Sequence, residues 1–286
     1  MERAYFCNSG AESIEAALKL VRRGTGKERI VAAERAFHGR TLGALALTYK
    51  SAYREPFRPL REAQFVPYNN GEALKEAVTA KTGAVILEPV QGEAGVYVPE
   101  EDYLRTARDV CDDRGALLIL DEVQTGFGRT GRWFAKEHSG VQPDIICLAK
   151  ALAGGLPMGA MLARGDIAGA FQKGDHGSTF AGGPLICAAA LAVIEVIKEE
   201  GLVERSREMG ARLKSELEKL KPREVRGMGL MVGVDLDCDC KEMVEKALRR
   251  GVLINNTGEH TLRFIPPLVV TEEEIDRVVA VIGELI

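Results

Sequence analysis

Two unbroken apolar runs, GAVILEPV (83–90) and ALLILDEV (116–123), each carry an acid near their end and flank an amphipathic helical stretch, DYLRTARDVCDDRG (102–115). An unbroken run leaves no polar face for water, so a strand made from it is covered on both sides. Strand, helix, strand in that order points to a parallel pair with a crossover helix. The same rhythm recurs in AYFC (4–7) with the helical AESIEAALKLVRR (11–23), and in RIVAA (29–33), DIICLAK (144–150) and MGAMLAR (158–164). The predicted fold class is α/β, a mostly parallel central sheet with helices on both faces.

The pattern changes after residue 181. A long helical stretch (182–220) carries a break at Gly201. Then VRGMGLMVGVDL alternates like a strand, CKEMVEKALRRG reads as a helix, VLINN and TLRFIPP as strands, and EEEIDRVVAVIGELI as a final helix. This predicts a large domain over 1–204 and a small C-terminal α+β domain over 205–286. The opening, RAYFCN, reads as a strand running straight into a turn, and a further segment upstream of it is expected.

The formal net charge of −4 provides no broad basic field for nucleic acid or anionic lipid. No stretch has the length and apolarity of a membrane span or a signal peptide. The six cysteines, at 7, 111, 147, 187, 238 and 240, are scattered, which reads as reduced thiols and a cytoplasmic setting. The CDC at 238–240 lacks a second ligand pair, so no metal site is expected.

The chemistry gathers where strands end, the place where parallel α/β sheets bind ligands. Asp121 follows ALLIL, Glu88 follows AVIL, and Asn8, Ser9 and Gly10 follow AYFC and open a helix. Lys150 follows IICLA in a run otherwise apolar or glycine, CLAKALAGGLPMGA, where a cation calls for a partner or a neutral state. NSGAES reads as a helix N-terminus able to hold an anion, or as a plain cap with Asn8 or Ser9 capping and Glu12 in the first turn. HGSTFAGGP (176–184) is a second loop suited to phosphate. A lysine, a buried aspartate and an anion-binding turn together suit a cofactor with an aldehyde, a basic ring nitrogen and a phosphate, and pyridoxal 5′-phosphate has all three. No nucleotide fingerprint competes.

Seven segments in order, NSGAES, AFHGRT, LEPVQGEAGVYVP, LILDEVQTGFGRTG, LAKALAGGLPMGA, HGSTFAGGP and LRFIPPLVVT, resemble the class III (subgroup II) pyridoxal-phosphate aminotransferases of fold type I. The group includes acetylornithine, ornithine and 4-aminobutyrate aminotransferases, and the likeness is strongest to the acetylornithine branch. It extends over essentially the whole chain. The resemblance implies that Lys150 forms a Schiff base with the cofactor and that Asp121 faces its ring nitrogen. It implies ring contacts from Phe37, Val123 and Gln124, and a cofactor site that also includes Glu88, Ser9, Gly10, Ala11 and Ser178. Thr179 would reach the phosphate of a second subunit's cofactor, implying a homodimer with shared sites. Arg40 and Arg263 would bind substrate carboxylates, with Glu93 pairing Arg263 when an ω-amine is presented. The implied reaction moves the ω-amino group of N-acetylornithine to 2-oxoglutarate, giving glutamate. Two alternatives are another ω-aminotransferase of the group, acting on ornithine, 4-aminobutyrate or an acylated lysine precursor, and a truncated chain without catalysis.

Overall fold

The computed structural model describes residues 1–286, and the chain divides into two compact units. The first takes Met1–Pro89, Pro99–Gly126 and Lys136–Glu195; the second takes Val90–Val98, Phe127–Ala135 and Val196–Ile286. The division expected at 204/205 falls inside a helix, and two mid-chain segments also join the second unit.

The first unit is built on seven strands: β1 (Arg3–Cys7), β2 (Arg29–Ala33), β3 (Gln64–Val66), β4 (Thr82–Leu87), β5 (Leu117–Asp121), β6 (Ile145–Leu148) and β7 (Gly159–Ala163). Their order is β1-β7-β6-β5-β4-β2-β3. Strands β3, β2, β4, β5 and β6 are parallel, and every residue of β4 and β6 is buried. MGAMLAR departs from the expected parallel pattern, because β7 runs antiparallel to both β6 and β1. The link at 149–158 is too short for a crossover helix, so the chain can only turn back. The reversal leaves β1 running in the direction of β6, so the ends of β1, β6, β5, β4 and β2 share one edge.

Helices α1 (Gly10–Thr25), α2 (Leu42–Ala46), α3 (Ser51–Arg54), α4 (Gly71–Ala77), α5 (Tyr103–Arg114), α6 (Lys136–Ser139), α7 (Gly165–Ala168) and α8 (Pro184–Glu199) accompany this sheet. Ile14, Ala17, Leu20 and Val21 form one face of α1 and join Ile86, Ile119, Ile145 and Cys147 in a single core. Each fully buried Leu or Ile side chain there contributes about 1.5–3 kcal/mol. Gly26, at φ 69°, ends α1, and Gly115, at φ 59°, ends α5.

The second unit holds β8 (Glu224–Met228), β9 (Met231–Asp235), β10 (Asn255–Asn256) and β11 (Thr261–Phe264), ordered β10-β11-β9-β8 and antiparallel throughout. α9 (Leu202–Glu218), α10 (Cys240–Arg249) and α11 (Glu272–Gly283) complete it. Its core includes Leu213, Leu217, Val232, Val234, Leu262, Phe264 and Ile282. A capping box at Thr271 and Glu274 starts α11. The break foreseen at Gly201 separates α8 from α9, with that glycine at φ 61°.

Candidate active site

At the shared strand-end edge of the first unit, Asp121 closes β5 and is 5% exposed. One of its oxygens, Oδ1, accepts the Val123 amide at 3.0 Å, and the other lies 2.7 Å from His38 Nδ1. The histidine is buried, and its Nε2 has no hydrogen-bond partner. Its backbone is fixed by Thr48, whose Oγ1 accepts the His38 amide at 3.0 Å and donates to the Gly39 carbonyl at 3.0 Å. Burial works against a charged imidazole, but the hydrogen bond and charge of Asp121 outweigh it and raise the His38 pKa.

Glu88, just past β4, is also buried, and its Oε1 accepts the Phe37 amide at 3.0 Å. Burial raises its pKa to about 7; the charges of His38 and Lys150 and the Phe37 amide act to lower it, while Asp121 adds to the rise. Glu122 has a different task. Its Oε2 accepts Thr125 Oγ1 at 2.9 Å and its Oε1 the Lys136 amide at 2.8 Å, so it ties down the turn after β5.

The start of α1 is a true cap: Ser9 Oγ accepts the Glu12 amide at 3.2 Å. The Glu12 carboxylate reaches back to the Asn8 amide at 2.8 Å. The amides of Gly10 and Ala11 open the helix, where no acceptor exists within it. Gly10 is needed for closeness rather than for a tight turn, because a Cβ there would meet Val123 Cγ1 at 2.8 Å. The turn after His38 presses on the same helix, since a Cβ on Gly39 would lie 2.8 Å from Ala11 Cβ. Asn8 Nδ2 also donates to Ser178 Oγ at 3.0 Å, which brings the HGSTFAGGP loop to this edge; Thr179 is exposed.

Lys150 opens a short 3₁₀ turn, Lys150–Ala153, with φ 48°, a left-handed setting uncommon for a lysine. The residue is exposed, although the run around it is apolar or glycine. Arg40 is exposed too, its guanidinium 4.7 Å from the Tyr53 ring centroid and 5.8 Å from that of Phe37. Gln124 is half-buried, and its Oε1 has no hydrogen-bond partner.

The remaining two expected residues lie in the second unit. Arg263 on β11 and Glu93 meet through Nη1 and Oε1 at 2.7 Å. The arginine side chain is 11% exposed and the glutamate side chain 41%.

The residues of the first unit fit pyridoxal 5′-phosphate. They offer a buried carboxylate with an imidazole behind it, a glycine-packed helix start, and two buried polar atoms, His38 Nε2 and Gln124 Oε1, with no hydrogen-bond partner. His38 was not among the residues singled out from the sequence. The one signal was an imidazole inside the near-apolar AFHG, and its partner stands 83 positions away.

A family described as aminotransferase class-III matches residues 1–286. The acetylornithine aminotransferase of Methanosarcina acetivorans is 55% identical over 289 residues, covering 99% of this chain and 73% of that protein. The ornithine aminotransferase structure from Toxoplasma gondii superposes with TM-score 0.94 at 35% identity, over 99% of this chain and 72% of that one. A pyridoxal-phosphate-bound amine transaminase from an uncultivated Pseudomonas species gives 0.90 at 32%, over 98% and 76%.

Proposed function

The chain belongs to the class-III aminotransferases, and from that premise we propose that it moves the ω-amino group of N-acetylornithine to 2-oxoglutarate, a step of arginine biosynthesis. The name carried by a 55%-identical relative supports this donor. The observation that carries the catalytic reading is Asp121: a carboxylate 5% exposed at a strand end, backed by one imidazole and one amide and by no arginine or lysine in hydrogen-bond contact. Such a group favours a protonated ring nitrogen placed before it.

Pyridoxal 5′-phosphate, when bound, supplies an electron sink for the pair left when a substrate C–H bond breaks. The chain's own residues do the rest. Lys150 Nζ would anchor the cofactor and, once the amino donor displaces it, its freed amine would hold the proton taken from the substrate carbon. His38 orients Asp121 through Nδ1. The amides of Gly10 and Ala11, with the dipole of α1 behind them, would hold the phosphate with Ser9 and Ser178 beside them, and Glu88, which accepts the Phe37 amide, would belong to the same cofactor site. Phe37 and Val123 would pack against the ring, and Gln124 would take its hydroxyl. Arg40 binds the distal carboxylate of each substrate, and Arg263 binds the α-carboxylate of glutamate. Glu93 neutralises Arg263 while the donor presents its ω-amine.

A homodimer completes the reading, with Thr179 serving the partner's cofactor. An apolar surface on and before α8 supports it: Phe180, Leu185 and Leu191 are 79%, 74% and 61% exposed. The six free cysteines suit a cytoplasmic enzyme. No helix is long and apolar enough to cross a membrane. The test is a glutamate-forming assay with 2-oxoglutarate and a panel of N-acetylornithine, ornithine, 4-aminobutyrate and an N-acylated lysine precursor. N-acetylornithine should show the highest kcat/KM; a higher value for any other donor overturns the assignment.

A further inference from the structure

The turn that carries Glu93 is gripped from two sides. Gly233, in the middle of β9, pairs with Arg263 of β11 on one side and Arg226 of β8 on the other. The turn settles over that glycine: a Cβ on Gly233 would come within 2.4 Å of the Gly95 carbonyl oxygen. Arg226 Nε donates to the same carbonyl at 2.8 Å, and its guanidinium lies 4.3 Å from the Tyr97 ring centroid. Its two terminal nitrogens donate to the two oxygens of Asp235 at 2.7 and 2.9 Å, and Thr261 Oγ1 donates to Asp235 at 2.6 Å.

The two grips differ in kind. The Arg226 side chain is 8% exposed and held bidentately, whereas Arg263 has one contact to a carboxylate 41% exposed. A buried bidentate pair is costly to break, while a single contact to a wet carboxylate opens readily. The turn between the grips is strained. Val96, buried among Val90 and Met231, has φ 60°, a conformation that β-branched residues avoid. It persists only while its surroundings impose it, and Arg226 holds the carbonyl of Gly95, the residue just before it.

We propose that Arg226 is a positioning residue that, through Gly95 and Tyr97, keeps the Glu93 turn within reach of Arg263 and so sets how readily the enzyme alternates between its amino donor and glutamate. This rests on the reading of Glu93 and Arg263 as a charge gate. Loss of the fixed grip lets the turn lift, Glu93 leaves Arg263, and the bared guanidinium favours the substrate that brings it a carboxylate.

The experiment uses the cofactor-loaded full chain and three variants, Arg226→Gln, Arg226→Lys and Glu93→Gln. Two quantities are measured: the kcat/KM ratio of glutamate to N-acetylornithine in separate half-reactions, and amide exchange at 91–97 against 231–235. Glu93→Gln should raise the ratio. Arg226→Gln should raise it in the same direction, on the order of tenfold. Exchange should quicken at 91–97 while 231–235 stay protected. Arg226→Lys should fall between, and it carries the same ratio test should Arg226→Gln fail to fold. A ratio moved by Glu93→Gln but unmoved by either Arg226 variant would reduce Arg226 to a structural residue and overturn the proposal, leaving the gate intact. A ratio unmoved by all three would overturn the gate, and the proposal with it.

Discussion

Two aspartates at opposite edges of the same sheet are almost equally buried, Asp121 at 5% and Asp144 at 3%, yet their surroundings are opposite. Asp144, just before β6, is over-supplied with partners. Arg108 Nη1 reaches it at 2.7 Å, Arg164 pairs with its other oxygen, and the Leu118 amide donates at 2.7 Å. Asp121 has one imidazole and one amide, beside a second buried carboxyl, Glu88. The first arrangement is closed: every lone pair that matters is met, and the result is a fastening between β5, β6 and α5. The second leaves His38 Nε2 without a hydrogen-bond partner and two acids near one another, an arrangement with little to offer stability and much to offer a ligand.

Asparagine at each position should separate the two. Asp121→Asn keeps the shape and an acceptor for His38 but removes the charge. Turnover in the glutamate-forming assay should fall on the order of 10³-fold, with the unfolding midpoint nearly unchanged. A variant with more than a tenth of normal turnover would contradict a charged role for Asp121. Asp144→Asn should do the reverse. It takes the buried carboxylate from two guanidinium groups, of which Arg108 keeps only the exposed Asp112 at 2.8 Å, and denaturant unfolding should show a loss of about 4 kcal/mol. Turnover per folded molecule should hold.

Acidity gives a third, somewhat smaller effect. Glu88 has its pKa raised from 4.5 to about 7. A raised acid binds its proton more tightly when folded, so its contribution is present below pH 4.5 and is lost as pH rises towards 7. His38, raised above 6.5 by Asp121, also contributes below 6.5 and loses that contribution as pH climbs through its folded value. Both signs agree. The cofactor-free chain should lose on the order of 3 kcal/mol between pH 4.5 and 7 from Glu88, and Glu88→Gln should flatten that limb in urea unfolding. The smallest effect belongs to Arg164→Ala: this side chain is half exposed, and Arg108 still covers Asp144. A stability loss of about 1 kcal/mol or less is expected by thermal unfolding.

The contrast also shows what was legible beforehand. The parallel strands β4, β5 and β6 were readable because burial on both faces leaves an unbroken apolar signature, and Glu88 and Asp121 stood out by interrupting it. The direction of β7 was not readable, since its composition matches a parallel neighbour and only the short link behind it decides. Three-residue β3 was too brief and too wet to signal itself. The two segments 90–98 and 127–135 join the second unit through contacts made over a hundred positions away, such as Arg226 with Gly95 and Arg129 with Pro266. No local pattern records these. For the same reason the Glu93–Arg263 pair came only from resemblance, and His38 not at all. Lys150 shares its exposure with Ala151 and with residues 154–157 of the same link between β6 and β7, where an apolar composition is no signature of burial.

The contact between Gly10 and Val123 makes two distant positions a single volume constraint. A methyl on residue 10 would lie 2.8 and 3.0 Å from the two methyls of Val123. Alanine at 10 is therefore intolerable beside valine but admissible beside alanine at 123, so Gly10→Ala and Val123→Ala should each do harm singly and relieve one another in combination. Among functional descendants of this chain, residue 10 can grow only where residue 123 has shrunk, and the floor and the wall of the pocket are obliged to change together.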